Sequence, residues 1–188
     1  MILIGTIASS LLQNVDNGVM DPLQVITVGP SGASEINFTN IPGTYSHLQI
    51  RAMGLLTTTG SGAYLAMRFN SDTGSNYSDH GITGNGSTVE AYGSANIDGI
   101  NFFQRANNMS TTNPSVCVID VLDYANTNKY KTTRNLNGAD FNGSGEVTLR
   151  SAAWRNTNAI TSIRIYPAGS YTIKAGSQFA IYGIKGAA

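Results

Sequence analysis

Val116-Cys117-Val118-Ile119-Asp120-Val121-Leu122 is the most apolar of the strand-like runs in the chain. Its length and its β-branched residues favour a strand over a helix. A nearly continuous run of this kind predicts a strand at the centre of a sheet, covered on both faces. A charge placed at Val118 would then be buried without a partner. Cys117, inside the run, is the only cysteine. No internal disulfide can form, and the residue reads as a small buried hydrophobe. The rival reading, a catalytic thiol, needs a histidine brought to it by the fold.

Outward from that run the pattern is strand, turn, strand. Glu35 to Thr39, Tyr45 to Met53 and Ala63 to Phe69 alternate polar with apolar residues, as strands with one buried face do. Leu48 and Ile50 share one face, Gln49 and Arg51 the other. Leu23 to Val28 is a further β-rich run, and others fall near 87–92 and 99–104. On the C-terminal side come Lys129 to Leu136, Gly145 to Ala152, Ile160 to Tyr166, Tyr171 to Lys174 and Gln178 to Ile184. Gly29-Pro30-Ser31-Gly32, Asn40-Ile41-Pro42-Gly43 and the polar stretch Asn70 to Asn76 punctuate them with turn chemistry. The expectation is an all-β fold, an antiparallel β-sandwich or jelly roll of about ten to thirteen short strands. No stripe has helical period over an ordinary helix length, and no fixed-period repeat suggests a solenoid or propeller.

Residues 1–22 differ. Met1-Ile2-Leu3-Ile4-Gly5-Thr6-Ile7 is apolar but lacks the basic start of a signal peptide, and Asp21-Pro22 marks a boundary. The segment reads as an N-terminal arm for docking or assembly, with residues 23–188 as the β-sandwich domain. No stretch approaches the apolar length of a membrane span, so no membrane insertion is expected.

The 188 residues carry eleven basic and eleven acidic side chains, a formal net charge of zero. Phosphate binding needs a basic excess, so no nucleic-acid partner is expected. Low net charge removes repulsion between copies and suits an assembled state. Only 12% of residues are charged, about half the usual quarter, so the polar surface comes from Gly, Ser, Thr and Asn. Asn-X-Ser/Thr sequons stand at Asn37, Asn76, Asn85, Asn108 and Asn142. Without a secretory signal they read as products of that composition.

The residues offer little for catalysis. His47 sits in a strand-like run and reads as structural. Asp79-His80 could be a base and its orienting partner, but adjacent strand residues point to opposite faces. A zinc site needs more His or Cys than the chain has, so no metal, cofactor or catalytic residue is assigned. The stretch Asn70-Ser71-Asp72-Thr73-Gly74-Ser75-Asn76 has oxygen donors at alternate positions, as calcium loops do, yet no bidentate Glu follows. Side chains capping their own backbone are the alternative. Asp72, Asn76, Tyr77 and Trp154 could line a carbohydrate pocket, since aromatic plates beside Asp and Asn suit sugar faces.

Five ordered blocks carry a resemblance. They are Ile36 to Arg51 around Ile41-Pro42-Gly43-Thr44-Tyr45, and Met67-Arg68-Phe69-Asn70-Ser71-Asp72-Thr73-Gly74-Ser75-Asn76-Tyr77. Asp120 to Thr132 follows, then Trp154-Arg155-Asn156-Thr157 with Ala159 to Ile163, and last Gly176 to Lys185. Together they resemble tail-region and other virion proteins of tailed bacteriophages, over roughly residues 23 to 186. The resemblance implies a β-sandwich or jelly roll, often a homotrimer, located on the virion, with no catalytic residues to carry over. Within that class the first reading is a tail-associated or fibre attachment protein that binds the host surface, favoured by the abundant Gly, Asn and Ser loops. A capsid decoration or cement protein is the alternative, since no heptad, collagen or β-helix repeat supplies a shaft. A glycan-cleaving spike is the third reading, but the acidic residues are too scattered to nominate a carboxylate pair. The expected partners are other virion proteins, reached through the arm, further copies of the chain, and a host-surface glycan or protein.

Overall fold

A computed structural model describes residues 18–54, 64–103, 114–169 and 171–186. They form twelve strands: β1 (Met20–Thr27), β2 (Ile36–Phe38), β3 (His47–Gly54), β4 (Leu65–Phe69), β5 (Tyr77–Gly84), β6 (Val89–Ile97), β7 (Ile100–Phe103), β8 (Ser115–Leu122), β9 (Lys131–Asp140), β10 (Gly145–Trp154), β11 (Ile163–Pro167) and β12 (Gln178–Ile184). There is no helix among the described residues. Every strand pairing is antiparallel. The all-β expectation holds, and the strand number falls inside the expected range.

The strands form two sheets, of order β1-β12-β3-β8-β9-β10-β5-β6 and β2-β11-β4-β7. Without the hairpins β5–β6 and β9–β10, each sheet has four strands drawn from both halves of the chain. The two hairpins extend the larger sheet past β8. One core cluster joins the sheets: Leu48, Ile50, Ile119, Val121, Phe179 and Ile181 from the larger, Phe38, Met67, Phe69, Ile163 and Ile165 from the smaller. Each such side chain contributes about 1.5–3 kcal/mol by leaving water.

Several expectations need correction. β8 does lie inside the larger sheet, but only one of its faces is covered. Cys117, Ile119 and Val121 point into the core, while Val116 is 55% and Val118 39% exposed. The run is apolar on both sides because its outer face belongs to a wider apolar surface, described below. β9 inverts the usual pattern, with Lys131, Thr133, Asn135 and Asn137 buried and Leu136 exposed. β5 was not foreseen, since Asp79, Gly81 and Gly84 are poor strand formers. Tyr171 to Lys174 holds only a bridge between Ile173 and Ala33. The sheet takes up the chain at Met20, two residues before the expected boundary at Pro22, and the β1 register slips between Pro22 and Gln24. Residues 1–17 of the expected arm lie outside the described residues.

Candidate functional site

The four residues considered for a carbohydrate pocket do converge. The loop from β4 to β5 starts with Asn70 and Ser71 in the left-handed region, at φ 50° and 57°, and this turns the chain back on itself. Asp72 Oδ1 accepts from the Gly74 N–H at 2.8 Å. Asp72 Oδ2 accepts from Asn76 Nδ2 at 2.9 Å and from Trp154 Nε1 at 2.7 Å. The Tyr77 hydroxyl accepts from the Phe69 N–H at 3.0 Å and lies 3.2 Å from the Asp72 carbonyl. The Tyr77 and Trp154 rings stack at 6.3 Å, and Phe69 meets Trp154 edge-on at 5.6 Å. Tyr77 and Trp154 are both fully buried, so neither presents a face to a sugar. The group is an internal joint that ties the loop to β10.

The same geometry bears on the ion. Both Asp72 oxygens face N–H donors, as in an Asx turn, which is the opposite of a cation site. Among the described residues no group of three or more His, Cys, Asp or Glu could hold a metal. Burial works to raise the Asp72 pKa. The hydrogen bonds from Trp154, Asn76 and Gly74, with Arg68 nearby, outweigh it and hold the carboxyl below its ordinary value.

A second joint lies beside the first. Lys131 is fully buried, and its ammonium donates to the carbonyls of Asn126, Lys129 and Thr157 at 2.5, 3.0 and 3.0 Å. Burial pushes its pKa down, opposed by Asp123. The Tyr124 hydroxyl donates to the Pro42 carbonyl, and the Tyr124 carbonyl accepts from the Ile160 N–H at 2.9 Å. Asn70 bonds Ala159, Thr161 and Ser162. His47 Nδ1 accepts from the Asp123 N–H at 3.0 Å, a structural role as expected. The segments 36–51, 67–77, 120–132 and 154–163 therefore meet in these two joints. Lys131 was missed because alternation alone does not say which side of a polar strand faces inward.

The fold keeps the candidate reactive groups apart. Asp79 points inward and His80 outward. Asp79 is held instead by Arg150 at 2.6 Å, with both side chains buried and the Arg150 guanidinium 4.7 Å over the Tyr92 ring. Cys117 points into the core from β8, and burial pushes its thiol up. His47 and His80 both stand on the outer face of the larger sheet, given the alternation of β3 and β5. No histidine therefore reaches the thiol.

The outer surfaces differ in kind. On the smaller sheet Arg68 pairs with Asp98, Arg164 with Glu35, and both arginines flank Tyr166. On the larger sheet the register aligns two apolar rows. One is Met53, Val116, Gly138, Val147, Gly84 and Val89. The next is Val25, Ala180, Arg51, Val118, Leu136, Leu149, Ile82 and Ala91. A third row is polar, with Gln49, Asp120, Arg134, Ser151 and His80. At the end of the sheet away from the joints, the turns of β5–β6 and β9–β10 border a groove lined by Asn85, Gly86, Pro114, Gly143 and Ser144. No family model matches the chain, and neither a curated protein nor a solved structure matches it.

Proposed function

We propose that the chain is a non-enzymatic structural protein of a tailed-bacteriophage virion, and that it serves as a tail-associated attachment protein. The observation that carries this reading is where the resembling blocks fall. Four of them close the two joints at one end of the fold, so they act as architecture. The exposed hairpin tips and their groove stand at the other end, free to vary as recognition surfaces do. The strand order supports a jelly roll, with β1-β12-β3-β8 and β2-β11-β4-β7 as its two sheets and the two hairpins as insertions. With Tyr77 and Trp154 buried, a host glycan or protein would be met by the tips and not by those rings.

A capsid decoration protein is the second reading. It is favoured by the twelve strands packing as one unit with no fibrous element among the described residues. Gold-labelled antibody against the chain, imaged on intact particles by electron microscopy, separates the two. Gold at the tail end is expected; gold spread over the head supports decoration instead. Purified particles that carry no gold would overturn both.

A further inference from the structure

We propose that the apolar rows on the outer face of the larger sheet are an interface with a second copy of this chain, packed face to face about a two-fold axis. The axis runs along the strands midway between β8 and β9. The proposal concerns self-association alone and stands apart from where the protein resides.

The face is unusual for a surface left to water. Val25, Val116, Val118, Leu136, Val147 and Leu149 are all exposed, and the register sets them in two rows, the second of which crosses all eight strands. With strands about 4.8 Å apart and alternate residues about 6.8 Å apart along each strand, the two apolar rows and the polar row beside them cover roughly 620 Å². Stable pairs bury about 600–1,000 Å² per partner, with an apolar centre and a polar rim. The zero net charge adds no general repulsion between copies.

The choice of a second copy rests on charge and shape. The stated axis sets β8 against the partner's β9 and β3 against the partner's β10. Val118 then faces the partner's Leu136, and Val116 faces the partner's Gly138, a larger side chain over a glycine. Asp120 faces the partner's Arg134, and Arg134 faces the partner's Asp120. Within one chain these two charges are 3.9 Å apart and Gln49 holds the carboxylate at 3.0 Å, so the pairing across the axis closes a four-charge cluster. Arg51, the one charge in the apolar rows, folds its guanidinium over Tyr182 at 5.4 Å, which leaves its stem to the interface. A face that complements itself in this way makes an isologous contact. The structure therefore points to a pair in place of the trimer expected from the resemblance.

Light scattering coupled to size exclusion tests the full chain across the micromolar range. The expected mass is twice 19.8 kDa. Asp120→Arg and Arg134→Asp each set like charges across the axis, and each alone should raise Kd about tenfold or more. Mixed in equal amounts they should restore the pair, because each then meets its opposite in the partner. A role within one chain cannot produce that rescue. A monomer at every concentration, a trimer, or a mixture that stays monomeric while the parent pairs would overturn the proposal. So would a chain that pairs only after residues 1–17 are deleted, since its own segment would then be the cover. The mass of the parent decides by itself should a variant fail to fold.

Discussion

At the scale of single residues, Asp72 shows how a polar side chain can be functional in appearance and structural in use. It accepts from a backbone N–H, an amide and an indole. Asp72→Asn replaces one acceptor oxygen by a donor and should cost about 2–3 kcal/mol at neutral pH, read by urea denaturation. The pH dependence has a definite sign. The folded pKa of Asp72 is lowered, so its contribution is complete above the ordinary carboxylate value of about 3.9 and is lost as pH falls through the folded value. The gap between parent and variant should therefore narrow on acidification; a gap that stays constant would show that the charge is not what matters. The sequence offered Asp72, Asn76, Tyr77 and Trp154 as a carbohydrate pocket, whereas in the fold they meet as an internal joint. It could not say that the rings face inward, because an aromatic residue beside an Asp has the same spelling in a pocket and in a core.

At the scale of elements, β8 and β9 show what hydrophobic pattern decides and what it leaves open. Period-two alternation located most strands, since alternate side chains meet different surroundings. It failed for β5, whose inward residues include Asp79 and Thr83, and it could not orient β9. Pattern reports contrast between faces, and here the inner face of β9 is polar while the outer face of β8 is apolar. Two neighbouring substitutions make the distinction measurable. Val118→Asp places a carboxylate on an exposed surface and should leave dilute protein folded, within about 1 kcal/mol of the parent. Ile119→Asp buries an unpaired charge and should abolish soluble folded protein. Circular dichroism of both decides; equal damage would mean that the outer face is covered within one chain.

At the scale of the whole molecule, the strand order was not legible from the sequence. Pairings such as β1 with β12 join residues at opposite ends of the chain, and local pattern carries no information about such contacts. The boundary drawn at Asp21-Pro22 came from local proline geometry, whereas the sheet takes up the chain at Met20 through the partner strand β12. Deleting residues 1–17 should therefore leave the thermal melting of dilute protein within a few degrees of the parent, because no described strand loses a residue. A large drop would make that segment part of the folded unit.

β12 lies between β1 and β3 in the larger sheet, and that placement governs how the chain can be made. During synthesis β1 emerges early and has no neighbour until residues 178–184 have left the ribosome. β3 waits for the same strand on one side. Phe179 and Ile181 complete the core only at that moment. The larger sheet cannot close stepwise from β1, and the nascent chain carries its apolar rows in an unfinished sheet until β12 has emerged. Cells that translate it slowly will hold that aggregation-prone species longer, so the yield of soluble protein should fall as the time spent on the ribosome lengthens.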